Sequence, residues 1–270
     1  MMSLIVKDLQ RYPFHLVDPS PWPFVASFSA LIILLGGVLY FHTYQGSLVI
    51  LFFGIFFLLL IIFVWWRDVV RESTFEGNHT TMVQLGMRYG IMLFIFSEVI
   101  LFIAFFWAFF HNSLIPALET GVVWPPKGIQ FFSPWDIPFL NTIILLLSGC
   151  AVTWSHNCII SGFRRQAIFS LILTIGLALI FTIFQIYEYA IASFHLSDGA
   201  YGSTFFMITG LHGFHVIVGT FFLFVCMFRL VQYHFTMQHH YGFEAATWYW
   251  HFVDVVWLFL FVSIYWWGSF

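Results

Sequence analysis

The sequence predicts an all-α membrane protein of seven spanning helices, and three observations carry that prediction. Only 8% of the 270 residues are charged, whereas a domain covered by water carries roughly 25%. The apolar residues, 61% of the chain, come in unbroken stretches of about 20, the length that crosses a bilayer as a helix, rather than in one-sided amphipathic stripes. Counting seven crossings also places nearly all the basic residues on one side.

The predicted runs, bounded by charge, Gly/Pro or His clusters, are Pro23–Phe41, Leu48–Trp66, Val83–Phe110, Pro138–Ile160, Ala167–Tyr189, Gly202–Val231 and Ala245–Trp267. The third and sixth are long enough to tilt or to emerge from the bilayer. The longest connections are Arg67–Met82, mixed in charge, and His111–Ile137, where Trp124-Pro125-Pro126-Lys127-Gly128 and Ser133-Pro134-Trp135 predict a stiff loop. The reading is of one membrane domain over 1–270: tail and helices one and two to 66, a connecting loop at 67–82, helices three to seven from 83.

Seven crossings put the termini on opposite sides. Lys7, Arg11, Arg67, Arg71, Arg88, Arg164, Arg165 and Arg229 then share the N-terminal side, and only Lys127 lies on the other. That asymmetry predicts an N-terminus facing the cytoplasm or an organelle's matrix. Trp22, Trp65, Trp66, Trp135, Trp248, Trp250, Trp266 and Trp267 near the run ends fit an interfacial belt, while Trp107 and Trp257 lie deeper. The formal charge of −3 shows no block of like charge, so no nucleic-acid partner is expected. Cys150, Cys158 and Cys226 sit inside apolar runs and read as small buried hydrophobes. The first twenty residues show neither a transit-peptide pattern nor a signal-cleavage region, so no removable presequence is expected.

Polar groups inside the runs are the candidate functional residues, because the membrane makes them costly. Glu98 lies near the middle of the third run, where a bare carboxylate costs several kcal/mol. It is expected to be protonated or partnered. A neutral carboxyl bonded between helices is favoured over a proton relay, since no second acid continues a path on that helix. His212 and His215, three apart, share a helix face, as do His251 and Asp254. Interhelical hydrogen bonding is the expected role for all four.

No run offers the paired histidines of a bis-His haem site, and His234, His239 and His240 lack the further boxes of a di-iron enzyme. No metal site is expected. Arg71, Glu72 and His79 after the second run, and Arg229 and His234 after the sixth, are either lipid-phosphate ligands or solvated flanks. Gly86-x-x-x-Gly90 permits a close helix contact but occurs often by chance. Lys7 and Lys127 are the only lysines, so no buried amine exists for a retinal Schiff base; a G-protein-coupled receptor would reverse the charge asymmetry.

Particular strings resemble one family along nearly the whole chain. They are His15-Leu16-Val17-Asp18-Pro19-Ser20-Pro21-Trp22-Pro23, Trp65-Trp66-Arg67-Asp68-Val69-Val70-Arg71-Glu72-Ser73-Thr74 and Phe105-Phe106-Trp107-Ala108-Phe109-Phe110-His111. Tyr201-Gly202-Ser203-Thr204-Phe205-Phe206, His212-Gly213-Phe214-His215, Gly242-Phe243-Glu244-Ala245-Ala246 and Trp248 through Phe259 continue them. Together and in this order they resemble subunit III of the cytochrome c oxidases, in its mitochondrial form.

The resemblance implies a non-catalytic core subunit of an enzyme that oxidises cytochrome c, reduces oxygen to water and pumps protons. It implies no cofactor on this chain, with haem and copper on subunits I and II, and a direct contact with subunit I. The implied fold splays helices one and two from a bundle of helices three to seven, with phospholipid between. Arg71, Glu72, His79, Arg229 and His234 match family positions associated with lipid headgroups. Glu98 matches the family's buried carbodiimide-reactive glutamate. Asn78 and Asn157 depart from the common pattern, which often has histidine there. The implied location is the mitochondrial inner membrane, N-terminus in the matrix, with a bacterial plasma membrane as the alternative. The rival reading is a free-standing proton-coupled transporter using Glu98 and His212/His215, although the paired halves with broken helices typical of transporters do not appear.

Overall fold

A computed structural model describes residues 12–118 and 121–269; Lys7, Arg11 and Glu119 lie outside them. Among the described residues there are seven helices and no strand: α1 (Trp22–Phe41), α2 (Ser47–Thr74), α3 (Thr81–Leu114), α4 (Ile137–Ile160), α5 (Arg164–Ile191), α6 (Gly199–Val231) and α7 (Tyr241–Leu260). A π-helical turn, Phe261–Trp266, and a 3-10 turn, Trp267–Ser269, extend α7. Every one of the seven is long and apolar enough to cross a membrane.

The helix ends differ from the apolar runs in one consistent way. α2 continues through Arg67, Arg71 and Glu72 to Thr74, so these charged residues are helical rather than part of a loop. α3 likewise runs to Leu114 and α5 begins at Arg164. A hydropathy boundary marks where apolar side chains stop, but the backbone keeps its hydrogen bonds into the polar zone. Cys158 and Cys226 are buried whereas Cys150 is exposed, a correction for that residue. Trp257 is buried, and Trp107 is exposed on α3.

The chain forms two compact units, Met1–Met87 and Arg88–Phe270. In the first, α1 and α2 form an antiparallel hairpin across a tight connection that needs Gly46 at φ +80°. The backbones approach closely because Gly36 faces the Leu51 main chain and Gly54 faces Ile33. Trp22 Nε1 donates to Asp68 Oδ2 at 2.8 Å, fixing the start of α1 to α2, and Arg67 grips the other carboxylate oxygen at 2.8 Å.

In the second unit α4 packs on α5 and α7, and α6 packs on α5 and α7. α7 is the most buried span. Its Trp250 and Trp257 donate indole N–H bonds to Ser148 and Thr142 of α4, each at 2.9 Å, so two large rings are buried with their one polar atom satisfied. Arg164, first residue of α5, caps the C-terminus of α6: its Nε donates to the Leu230 carbonyl at 2.9 Å, Nη2 bonds the Val231 carbonyl, and the guanidinium stacks on Tyr233.

Candidate functional site

Buried His212, His215 and Asp254 and partly exposed Glu98 and His251 make their contacts within the second unit. His215 Nε2 on α6 lies 3.0 Å from Glu98 Oε2 on α3, while His215 Nδ1 donates to the Leu211 carbonyl at 2.7 Å. Its neighbour His212 sits 3.2 Å from the Val253 carbonyl of α7 and packs between Phe181 and Trp257. The two histidines share an α6 face, yet each ties α6 to a different helix.

On α7, His251 Nδ1 lies 3.7 Å from Asp254 Oδ2 and His251 Nε2 lies 3.2 Å from Thr153 Oγ1 on α4. Asp254 approaches the α4 backbone where Gly149 leaves room, since a Cβ there would lie 2.6 Å from Oδ2. Glu98, His212, His215, His251 and Asp254 thus make two groups, Glu98/His212/His215 through α3, α6 and α7, and His251/Asp254 through α4 and α7.

The lipid-headgroup candidates divide between the units. In the first, His15 Nε2 stands 3.9 Å from Glu72 Oε2, and the His15 and His79 rings are 5.7 Å apart. Arg71 is exposed on the last turn of α2. In the second, the Arg229 guanidinium lies over the Phe235 ring, with Gly242 making the space beside it. Burial, with the Arg229 charge adding to it, holds the His234 imidazole below its ordinary pKa. A cation beside a half-buried neutral imidazole is suited to receive an anion, whose charge would relieve both costs.

Four further arrangements escaped the sequence reading. Arg88 donates to both carboxylate oxygens of Glu244, at 2.8 and 3.2 Å, tying α3 to the first turn of α7. Among the described residues, two groups have donor atoms all within 4.8 Å: His15, Glu72 and His79, and His156, His240 and Glu244. Their nitrogen and oxygen donors are of the kind that holds zinc, although Arg88 already engages Glu244. Glu188 on α5 is completely buried and accepts a 2.6 Å bond from Tyr265. These groups join residues dozens of positions apart, and no local spacing announces them; for Glu188, the signal in the sequence was an acid inside the fifth run.

The family model for "Cytochrome c oxidase subunit III" matches residues 12–269. The chain is similar to proteins named cytochrome c oxidase subunit 3 from Chondrus crispus (64% identical over 268 residues, 99% of this chain and 98% of that one). It is similar to those of Marchantia polymorpha (62%, covering 96% and 98%) and Arabidopsis thaliana (62%, covering 97% and 99%).

Proposed function

The chain belongs to the cytochrome c oxidase subunit III family, and from that premise we propose that it serves the oxidase as a lipid-holding structural wall beside subunit I. As a member it is a multi-pass membrane subunit of the respiratory terminal oxidase, complex IV, and it assembles with other oxidase subunits. The family implies that haem and copper are carried elsewhere in the complex. The transporter alternative finds no support in the comparisons.

The observation that carries the membership is a match over residues 12–269, nearly the whole chain. The proposal adds the following. Subunit I is the direct neighbour, with subunit II in the same core. Phospholipids bind at Arg71, Glu72 and His79 and at Arg229 and His234, because these place cationic or hydrogen-bonding heads at helix ends where phosphates lie. Glu98, His212, His215, His251 and Asp254 hold helices together and keep the proton entrance of subunit I organised without moving protons themselves. The hydrogen bonds of Glu98, His212, His215 and His251 to neighbouring helices, and the 3.7 Å approach of His251 to Asp254, favour that reading. The location is the mitochondrial inner membrane, with the N-terminus in the matrix and the C-terminus in the intermembrane space, as the basic asymmetry favours.

Purification from the native membrane tests the reading. Co-migration with a haem-containing complex is expected, and a homo-oligomer lacking haem absorbance would overturn it. Arg71→Ala is expected to lower the anionic phospholipid that co-purifies; an unchanged lipid count by mass spectrometry would remove the lipid role of that residue.

A further inference from the structure

Inside the second unit, α5 carries two buried polar side chains one turn apart, Gln185 at 5% exposure and Glu188 at 0%. Positions i and i+3 share a helix face. Glu188 Oε1 accepts the Tyr265 hydroxyl at 2.6 Å, and Tyr265 is itself buried in the π-helical turn Phe261–Trp266. Among the described residues no protein group bonds Glu188 Oε2, and neither amide atom of Gln185 makes a hydrogen bond of good geometry. The Gln185 amide does lie beside the Tyr189 and Tyr265 hydroxyls, and Tyr189 donates to Thr209 Oγ1 at 2.7 Å.

Buried polar atoms in folded proteins are satisfied by protein or by ordered water. A carboxylate at 0% exposure with one bonded oxygen would carry several kcal/mol of uncompensated desolvation, so the site fits the neutral acid. In that form Oε1 is the carbonyl that accepts from Tyr265, and Oε2 carries a proton needing an acceptor. The tyrosines, as acceptors, suit the Gln185 NH2, which leaves the Gln185 carbonyl Oε1 open. A water between Oε2 and that carbonyl accepts one bond and donates another, and it has the two or more polar partners that a buried water needs.

Gln185 and Tyr189 also line a cavity of about 240 Å³ between α5 and α6, with Phe181, Ile186, Phe214 and Ile217 as apolar walls. Its polar end is the Gln185–Tyr189 edge. Thr182, the other polar lining residue, already donates its hydroxyl to the Ala178 carbonyl, and Glu188 is off the lining, one turn along α5 from Gln185.

We propose that Gln185 and Glu188 form an internal water-binding site, in which one ordered water bridges Glu188 Oε2 to Gln185 Oε1 and holds the α5 face against the π-helical turn through Tyr265. The water is a fixed structural ligand of the unit, exchanging through the α5–α6 cavity.

The test uses the intact oxidase, imaged at a resolution that places ordered waters. One water is expected within hydrogen-bond distance of both Glu188 Oε2 and Gln185 Oε1, and Gln185→Leu is expected to remove it. Should that variant assemble poorly, Gln185→Met, closer in length, takes its place. Infrared spectra supply an independent readout: the carbonyl band of the Glu188 acid, identified by its loss in Glu188→Gln, is expected to shift on transfer of the wild type to D2O. That shift should slow many-fold in Gln185→Leu. A direct bond between the Gln185 amide and Glu188 with no water between them overturns the proposal, as does a water that persists after Gln185→Leu or an acid band that does not exchange.

Discussion

His215 Nε2 on α6 lies 3.0 Å from Glu98 Oε2 on α3, a contact that joins two helices. The Leu211 carbonyl, 2.7 Å from His215 Nδ1, can only accept, so Nδ1 carries a hydrogen. Nε2, 3.0 Å from Glu98 Oε2, then either accepts from a neutral Glu98 acid or donates to its carboxylate. The apolar helices around the pair disfavour separated charge, so a Glu98 acid donating to Nε2 fits the contact better than an ion pair.

A hydrophobic carbodiimide, which needs a protonated carboxyl in an apolar site, is therefore expected to label Glu98. His215→Phe removes the imidazole that Glu98 meets among the described residues, and the labelling rate should rise several-fold. Mass mapping that finds label only at aqueous acids such as Glu76 would refute the neutral pair.

Breaking the Arg88–Glu244 pair should loosen α3 from α7. Arg88 is 35% exposed and Glu244 15%, so the loss is discounted for screening to about 1–2 kcal/mol for Arg88→Ala. Arg88→Lys, which keeps the charge but not the two-pronged grip, should recover only part of it. Thermal release of this subunit from the complex measures both, and an unshifted release temperature for Arg88→Ala would show that the pair contributes nothing.

Gly36 and Gly37 make a matched pair. A Cβ on Gly36 would lie 2.7 Å from the Leu51 backbone nitrogen, whereas one on Gly37 meets nothing within 4 Å. Gly36→Ala should cost about 1–3 kcal/mol by forcing α1 and α2 apart, and Gly37→Ala should be neutral. Assembly yield and thermal stability compare them; equal behaviour would contradict the α1–α2 packing.

His234 supplies a pH dependence. Its folded pKa lies below the ordinary value of 6.5, so without a bound anion the unfolded chain takes up the proton more readily. The stability linked to this group is present above about pH 6.5 and is lost as pH falls through the folded pKa. An anionic headgroup at Arg229 and His234 stabilises the imidazolium and reverses the trend, so retention of anionic phospholipid should increase from pH 7 toward pH 5.5. His234→Gln should abolish that increase, and lipid retention independent of pH in the wild type would exclude His234 from the site.

Much of this protein is local information. A helix that crosses a bilayer must satisfy its backbone internally and present apolar side chains along about 20 residues, so each span was written in its own segment and the seven runs were legible. The family was legible too, because its strings are contiguous. The sequence also marked Glu98, His212, His215, His251 and Asp254, since a polar residue within an apolar run is conspicuous wherever it points.

What each polar group bonds was decided only by tertiary structure. Glu98 and His215 are 117 positions apart and Arg88 and Glu244 are 156; their meeting depends on helix rotation and on which faces pack, which no single segment specifies. Glu188 shows the same limit from the other side. It lies inside the fifth run, but nothing in that segment names its partner: the π-helical turn that brings Tyr265 to it comes 77 positions later in the chain.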